Sequence, residues 1–431
     1  MKPKWGFSEK NIAYLFIFPA VLIITVIALY PVLRTFWLSL YDVRLNDPSK
    51  NDIYNSYKLD MDRFVEKYPI LVSLIDRSSK KPENQPSVAK LHQLNEQVLE
   101  VKDSLSKVPN FAKQYDQVDT IQLDDGNVPE ELATFAMNKG SADSLLKQLE
   151  ALQSEVKKLK LKDSDKQGIL GLLNGIEKTV ITPNFVGFDH YTDIMKQSRF
   201  WFSLWNTTIF TVISVFIELV LGLAIALLIN RQFRGRGIVR ASVLVPWAIP
   251  TVVSALMWKF MFDGQNGIMA KFFHSIGLIP DMGTLLTSKF WSMFSVIFAD
   301  VWKTTPFVTL LLLAGLQTIS GSLYEAAHVD GATRMQQFFK ITLPLLKPTI
   351  LVTLLFRTLD AFKIFDLVYV LTGGSNSTET ISLFTYKIMF SQMNFGVGSA
   401  LSVIGFICIA IISIIYIRFL GANIMNNNQS H

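Results

Sequence analysis

The sequence predicts an all-α polytopic membrane protein with six transmembrane helices and a helical extracytoplasmic insertion between helices 1 and 2. Half of the 431 residues are hydrophobic and only 18% are charged, and the mean hydropathy is +0.32. This composition is too apolar for an ordinary soluble protein. The charge is also uneven, because residues 41–200 hold a large share of the Lys, Asp and Glu. A polar domain set inside a membrane protein explains both observations.

Six apolar segments are long enough to span a bilayer. A helix that rises about 1.5 Å per residue needs roughly 20 apolar residues to cross a hydrocarbon core of about 30 Å. The segments that meet this length are 12–33, 204–229, 238–262, 290–316, 349–371 and 397–420. The first is long and is not followed by a small-residue cleavage site, so we interpret it as a retained helix rather than a signal peptide.

Basic residues predict the orientation, because Lys and Arg in short loops favour the cytoplasmic side. They cluster before helix 1, between helices 2 and 3, between helices 4 and 5, and after helix 6: Lys2, Lys4, Lys10, Arg231, Arg234, Arg236, Arg240, Arg334, Lys340, Lys347 and Arg418. We therefore expect a multi-pass plasma membrane protein with both termini in the cytoplasm. The predicted parts are a tail with helix 1 (1–39), the extracytoplasmic insertion (40–199), the core with helices 2–6 (200–421) and a cytoplasmic tail (422–431).

The insertion shows two narrow apolar stripes at alternating three- and four-residue steps. They are formed by Leu91, Leu94, Val98, Val101 and Leu105, and by Leu145, Leu149, Leu152, Val156 and Leu159. Turn residues between the stripes, among them Pro109 and Pro129, favour a helical hairpin or small bundle. Two roles remain open: a solubilising spacer, or a docking surface for an extracellular partner.

The sequence lacks the residues that several other classes of function require. The net charge of +6 is not gathered into a basic run with interleaved aromatics, so nucleic acid binding is not expected. The single cysteine, Cys408, provides neither a disulfide framework nor a Cys-based metal site. The sequence contains no phosphate loop, no His-Glu-x-x-His and no nucleophile elbow. We therefore expect no catalytic residues, no metal site and no cofactor in this chain.

The segment 324–348 carries the most specific motif. It reads Tyr-Glu-Ala-Ala-His-Val-Asp-Gly-Ala from Tyr324 and continues to Ile-Thr-Leu-Pro at residues 341–344. Small alanines permit close approach to another protein, the glycine permits a backbone reversal, and the prolines begin a new helix. A rigid helix-turn-helix is expected.

This segment resembles the EAA loop of binding-protein-dependent ABC permeases, in which the loop sits in a groove of the ATPase subunit. The resemblance implies that coupling to the ATPase is carried by Glu325, Ala326, Ala327, Asp330, Gly331, Ile341, Leu343 and Pro344. It also implies that ATP and Mg are bound by a partner ATPase and that this chain is a transport subunit, not an enzyme.

Further stretches are similar to the carbohydrate branch of these permeases. They are 185–191, 244–250 and 365–374, and a large insertion after the first helix is similar to MalF-type maltose and maltodextrin permeases. Ser375 departs from the family, which usually has Pro after Gly-Gly. The resemblance implies import of a carbohydrate, most simply maltose or maltodextrin, or of another oligosaccharide or glycoside. The implied partners are a MalG-like second permease, a MalK-like ATPase dimer and an extracellular sugar-binding protein.

Polar side chains converge at mid-membrane depth on predicted helices 3, 4 and 5. Intramembrane ionisable groups are costly and usually face a partner or a polar pathway, and sugars bind to polar groups and aromatic faces. Depth and resemblance together assign substrate contacts to Trp247, Thr251, Asp300, Lys303, Thr304, Asp360 and Lys363. On helix 5, Arg357, Asp360, Lys363 and Asp366 could instead form an intrahelical ion-pair ladder.

The main rival function is an ion-coupled secondary transporter, which would use intramembrane carboxylates such as Asp300 and Asp360. No convincing repeat relates the two halves, and the EAA-like segment would have no purpose there. A membrane sensor would need a cytoplasmic signalling domain, and none is recognisable.

Overall fold

The computed structural model describes residues 9–124 and 126–418. The predicted tail 422–431 and the basic residues Lys2 and Lys4 lie outside the described residues. The chain divides into two compact units, Met1–His190 with Gln392–Val397 and Tyr191–Ser391 with Gly398–His431. The first unit thus ends at His190, whereas the sequence placed the end of the insertion at residue 199.

The first unit begins with a helical span. Helix α1 (Glu9–Ile24) continues through a π-helical turn (Thr25–Leu29) into α2 (Tyr30–Leu38). The segment Tyr14–Leu38 is long and apolar enough to cross a membrane and buries none of its apolar window within its own chain. Predicted helix 1 is confirmed as a helix, and its exposed apolar surface suits a lipid or protein neighbour.

The insertion folds as a helical bundle with a small sheet. Its helices are α3 (Met61–Ser79), α4 (Val88–Ser106), α5 (Phe111–Leu123), α6 (Glu130–Ala133), α7 (Lys139–Lys158) and α8 (Asp163–Glu177), and a 3₁₀ turn covers Pro82–Ser87. The two predicted stripes lie on α4 and α7, with Leu159 at the C-terminal cap of α7, and all ten of their residues are buried. The helical prediction is confirmed because both stripes contribute to one hydrophobic core.

One feature of the insertion was not predicted. Strands β1 (Lys58–Asp60), β2 (Thr134–Ala136) and β3 (Val180–Ile181) form an antiparallel sheet in the order β2-β1-β3. Each strand has two or three residues, which is too short for alternation to stand out in a sequence. The sheet joins the start, the middle and the end of the insertion.

The second unit contains the other spans. Its helices are α9 (Asp189–Lys196), α10 (Ser198–Asn230), α11 (Arg236–Ala248), α12 (Thr251–Met261), α13 (Ile268–Ser275), α14 (Thr284–Thr287), α15 (Lys289–Gln317), α16 (Gly321–Val329), α17 (Arg334–Gln337), α18 (Leu343–Phe362), α19 (Asp366–Leu371), α20 (Ile381–Tyr386) and α21 (Phe395–Tyr416), with π-helical turns at Phe338–Thr342 and Lys387–Ser391. Within the described residues, five helices are long and apolar enough to cross a membrane, or six if the bent pair α11 and α12 is one span.

Predicted helix 3 is not continuous. The axes of α11 and α12 differ by 88°, and the break falls at Ile249 and Pro250, both in extended conformations. Proline disfavours a helical residue before it and cannot donate to the preceding turn, so the helix ends here. The predicted span 238–262 therefore consists of two helices joined at this break.

Predicted helix 5 also has different ends. Helix α18 begins at Leu343 and stops at Phe362, and α19 starts anew at Asp366. Lys363 is the C-terminal cap of α18, outside the regular helix. The alternative of an intrahelical ion-pair ladder on this helix is not supported, because among the described residues only its Arg357–Asp360 pair forms.

Helices α10, α15 and α18 pack closely around the second unit's core. A β-carbon at Gly222 of α10 would lie 2.7 Å from a methyl carbon of Val308 on α15. Because real β-carbons do not approach this closely, glycine is what permits this helix spacing. This packing brings the polar side chains of three helices together.

Candidate functional site

A buried ion network joins three helices of the second unit. Arg357 of α18 is only 2% exposed, and its guanidinium bonds to Glu218 of α10 through Nε and Nη2 and to Asp300 of α15 through Nη2. The distance from Nη2 to Oε1 of Glu218 is 2.9 Å. The third carboxylate is Asp360, whose Oδ2 is 3.0 Å from Nη1. One guanidinium thus serves carboxylates from α10, α15 and α18.

Thr304 belongs to the same network. Its hydroxyl lies 2.6 Å from Oε1 of Glu218 and 2.7 Å from the carbonyl oxygen of Asp300. The side chain is buried. Thr304 therefore contacts Glu218 and is buried in this conformation.

Lys303 lies beside the network on α15 and is 9% exposed. In the part of the chain that the structure describes, its ammonium makes no ion pair within 4.0 Å and no hydrogen bond. A buried ammonium is costly unless a polar group or water reaches it. Among the buried residues of the predicted set, Lys303 is the one whose side chain has no hydrogen-bond or ion-pair partner within the described residues.

Trp247 and Thr251 flank the bend between α11 and α12. The indole of Trp247 stacks on Phe307 of α15 with ring centroids 5.7 Å apart and an interplanar angle of 18°, and 47% of the residue is exposed. Thr251 opens α12 and is half-buried. One indole face is held by the stack, so the ring is fixed while part of its surface stays accessible.

Asp360 and Lys363 are the exposed members of the predicted set. The Asp360 side chain is 72% exposed although it is tied to Arg357. Lys363 is exposed at the end of α18 and makes no ion pair within the described residues. Both therefore remain available to a ligand.

The structure thus brings Asp300, Thr304 and Asp360 into one hydrogen-bonded group. Trp247, Thr251 and Lys363 do not bond to it. Two residues at its centre, Glu218 and Arg357, were absent from the predicted site. Glu218 carries a recognisable signal, because it is the single charged residue in the apolar interior of α10. Its partner on α18 could not be chosen from sequence alone.

The predicted coupling segment forms an exposed helix-turn-helix. Glu325, Ala326 and Ala327 lie on α16, which buries no residue. Gly331 has φ +79°, and the following amide of Ala332 donates to the Ala327 carbonyl at 2.8 Å. The left-handed conformation at Gly331 reverses the chain, as glycine allows without strain.

The rest of the segment holds the turn in shape. A reciprocal capping box between Thr333 and Gln336 starts α17, and the Tyr324 hydroxyl lies 2.9 Å from that of Thr342. A cleft of about 390 Å³ is lined by Ala327, Asp330, Gly331, Ala332, Gln336, Gln337, Lys340 and Ile341. Leu343 and Pro344 then begin α18. The segment is continuous with the helix that carries Arg357.

Exposed apolar side chains cover the same segment. Val329 is 86% exposed, and Leu323, Met335 and Phe339 are exposed as well. A patch of this kind on a folded segment marks an interaction surface. Apolar spans, a buried ion network and an exposed helix-turn-helix are the features expected of a polytopic membrane transport subunit.

Comparison with known proteins identifies the family. Residues 218–424 match the binding-protein-dependent transport system inner membrane component. Over 238 residues the chain is 43% identical to the trehalose/maltose transport system permease protein MalF of Thermococcus litoralis, covering 54% of this chain and 79% of the relative. Over 244 residues it is 46% identical to the trehalose transport system permease protein SugA of Mycobacterium tuberculosis, covering 56% and 78%.

A third relative and a solved structure agree. The chain is 39% identical to the sulfoquinovosyl glycerol transport system permease protein SmoG of Agrobacterium fabrum, over 55% of this chain and 77% of that one. A chain of a bacterial alginate ABC transporter, in complex with an alginate pentasaccharide-bound periplasmic protein, aligns with TM-score 0.50 and 25% identity over 54% of this chain and 82% of that one.

The chain belongs to the binding-protein-dependent inner membrane components of ABC transporters. The predicted resemblance to MalF-type sugar permeases is confirmed. The relatives of this chain are transport permeases rather than enzymes. The family match begins at residue 218 and leaves the insertion outside.

Proposed function

We propose that this chain is one of two permease subunits of an ABC importer that moves a neutral di- or oligosaccharide into the cell. The observation that carries this proposal is the 43% identity to a trehalose/maltose permease over 79% of that relative. The site agrees with it, since a stacked indole at Trp247 and exposed polar groups at Asp360 and Lys363 are what sugar recognition uses.

The sugar itself is the finer part of the proposal. Maltose and maltodextrin follow from the sequence resemblance, and trehalose is equally supported because two relatives carry trehalose in their names. These sugars share hydroxyl-rich, uncharged rings, so one site chemistry serves them all.

The proposed partners are a MalG-like second permease, a MalK-like ATPase dimer that binds ATP and Mg, and an extracellular sugar-binding protein. Support for the ATPase contact comes from the exposed apolar surface around Val329 and Phe339. Closure of the ATPase would move α16 and, through the continuous chain, α18. We place the chain in the plasma membrane with both termini in the cytoplasm.

The ion-coupled alternative gains no support from the network. Glu218 and Asp300 are bonded to Arg357 instead of standing free to exchange an ion.

Uptake by cells with and without this chain tests the proposal. Labelled maltose, maltotriose, trehalose and an anionic uronic acid disaccharide are supplied to a deletion strain and to the same strain with the gene restored. We expect chain-dependent uptake of at least one neutral sugar. Chain-dependent uptake of the anionic sugar alone, or of none, would contradict the proposal.

A further inference from the structure

The guanidinium of Arg357 lies between two environments. On one side Glu218 and Asp300 are buried, and on the other the Asp360 side chain is 72% exposed. Its three nitrogens each have an acceptor, through Nε, Nη1 and Nη2. Because a guanidinium is planar and its donors have fixed directions, anchoring Nε and Nη2 also fixes Nη1.

The contact with Arg357 stabilises the negative charge of Asp360. Asp360 lies in the last turn of α18, which ends at Phe362, and a carboxylate is disfavoured there by the negative end of the helix dipole. Arg357 is the cation that offsets this effect. The second oxygen of Asp360, Oδ1, makes no hydrogen bond within the described residues, so it remains free to accept one.

The charges around Asp360 favour one class of ligand. The three carboxylates of the network share one cation, Arg357, and the nearby Lys303 and Lys363 form no ion pair within the described residues. An anionic sugar approaching the free oxygen of Asp360 would be repelled by that carboxylate. A sugar hydroxyl would instead donate to the free oxygen in a charge-assisted hydrogen bond.

We propose that Arg357 is a positioning residue for substrate recognition: anchored by Glu218 and Asp300, it aims the carboxylate of Asp360 at a hydroxyl of a neutral sugar. This inference rests on the proposed import of a sugar. It assigns to Asp360 the contact and to Arg357 the orientation of that contact. Glu218 of α10 and Asp300 of α15 thereby act on substrate specificity through Arg357, without touching the sugar themselves.

A double-mutant cycle tests the inference in the complete transporter. Arg357→Lys keeps the positive charge but loses the planar set of guanidinium donors. Asp360→Asn keeps the shape of the side chain but loses its negative charge. Uptake of labelled maltose and trehalose is measured per amount of chain in the membrane. Each single change should lower uptake on the order of tenfold, as loss of one charge-assisted hydrogen bond does, and the double change should lower it no further.

A second readout separates positioning from a structural role. Maltose and its monodeoxy analogues are compared as competitors of uptake. Wild type should discriminate against one analogue, and both Arg357→Lys and Asp360→Asn should lose that discrimination. If Arg357→Lys does not accumulate, Glu218→Gln replaces it as the test. This change weakens the anchoring of Arg357 while keeping the shape of residue 218, and it should also lower discrimination between maltose and the deoxy analogue. Asp366→Asn, an exposed aspartate at the start of α19, serves as the control.

The outcomes are distinct. Additive losses, or a normal pattern of analogue discrimination in Arg357→Lys, Glu218→Gln or Asp360→Asn, would overturn the positioning role while leaving sugar import intact. Wild-type cells without chain-dependent sugar uptake would overturn the proposed function and this inference with it.

Discussion

The guanidinium of Arg357 bonds through two nitrogens to the carboxylate of Glu218, which lies 139 positions earlier in the chain. Both side chains are almost completely buried, at 2% and 0% exposure. This pair ties α18 to α10 inside the second unit, and Asp300 adds α15 to the same contact.

Removing the cation should destabilise the protein. Arg357→Met leaves Glu218 and Asp300 buried without compensation, which costs about 3–5 kcal/mol. We expect a large fall in folded chain in the membrane and in its thermal stability in detergent. Adding Glu218→Gln to Arg357→Met removes one uncompensated charge and should restore part of both.

The matched control for that change is Arg199→Met. Arg199 also bonds a carboxylate, that of Glu379, but its side chain is 43% exposed, and exposed pairs contribute about 0–1 kcal/mol. Wild-type stability of Arg357→Met would contradict the role given to the buried pair.

Gly331 should be essential for coupling. Its φ of +79° is incompatible with proline, which is confined near −65°, so Gly331→Pro should abolish uptake and sugar-stimulated ATP hydrolysis. Gly331→Asn is the matched control, since asparagine tolerates the left-handed region and no atom lies within 4 Å of the added carbon. Sugar capture by the free binding protein should persist in both. Normal transport by a membrane-inserted proline variant would remove the coupling assignment.

The insertion should be outside the cell. Leu123→Cys and Val329→Cys, at side chains that are 78% and 86% exposed, are introduced separately after Cys408, the only native cysteine, is changed to Ala. An impermeant thiol reagent should label position 123 on intact cells and position 329 only after lysis. The reverse pattern would invert the predicted topology.

Trp247 should contribute a stacking surface to transport. Trp247→Ala removes the indole that packs on Phe307, and a stacking contact is worth about 0.5–1.5 kcal/mol beyond burial. Uptake should fall severalfold to tenfold while the amount of complex is unchanged, and Trp247→Phe should retain most of it. Trp205→Ala, at an exposed tryptophan of α10, should transport normally. An equal loss at both tryptophans would argue against a specific contact at Trp247.

The insertion contains a buried carboxylate whose ionisation should stabilise it. Hydrogen bonding to Lys81 at 2.6 Å, against the opposing effect of burial and with further help from Asn84, holds the pKa of Asp165 below its usual range. A lowered folded-state pKa gives stabilisation that is present above the unfolded-state value of about 3.9 and is lost as the pH falls through the folded-state value.

Hydrogen exchange measured on the intact chain checks this prediction. At pH 7, Asp165→Asn should weaken protection in α8 and in the turn Pro82–Ser87 by about 1–3 kcal/mol, whereas the exposed Asp163→Asn should not. The difference between wild type and Asp165→Asn should shrink as the pH falls below the usual aspartate range. A difference that stays constant with pH would contradict an ionised Asp165.

Length and periodicity predicted much of this fold. Apolar runs of about 20 residues located the spans, and the heptad-like stripes located α4 and α7, because both signals depend on local pattern alone. The ends of the spans were less predictable. Pro250 was visible in the sequence, but whether it kinks or breaks a membrane helix depends on the groups that satisfy the freed backbone.

The candidate site was predictable only in part. Asp300, Thr304 and Asp360 were predicted from their residue type, their depth and the resemblance to sugar permeases, yet the partner of each depends on how α10, α15 and α18 rotate against one another. Arg357 looked equally suited to a ladder along its own helix. Tertiary packing brings Arg357 against Glu218 of α10 as well as Asp360, and the contact between α10 and α18 cannot be recognised from a local sequence pattern.

Sugar uptake into right-side-out membrane vesicles is the most direct test of the central claim, that this chain is the permease of an ATP-driven sugar importer. Vesicles from cells with and without the chain are loaded with ATP or with a non-hydrolysable analogue, supplied with the binding protein and labelled maltose or trehalose, and treated with an ionophore. We predict accumulation that requires the chain and hydrolysable ATP and that persists when ion gradients are collapsed. Accumulation that is driven by an ion gradient without ATP, or that is equal in vesicles lacking the chain, would contradict the account.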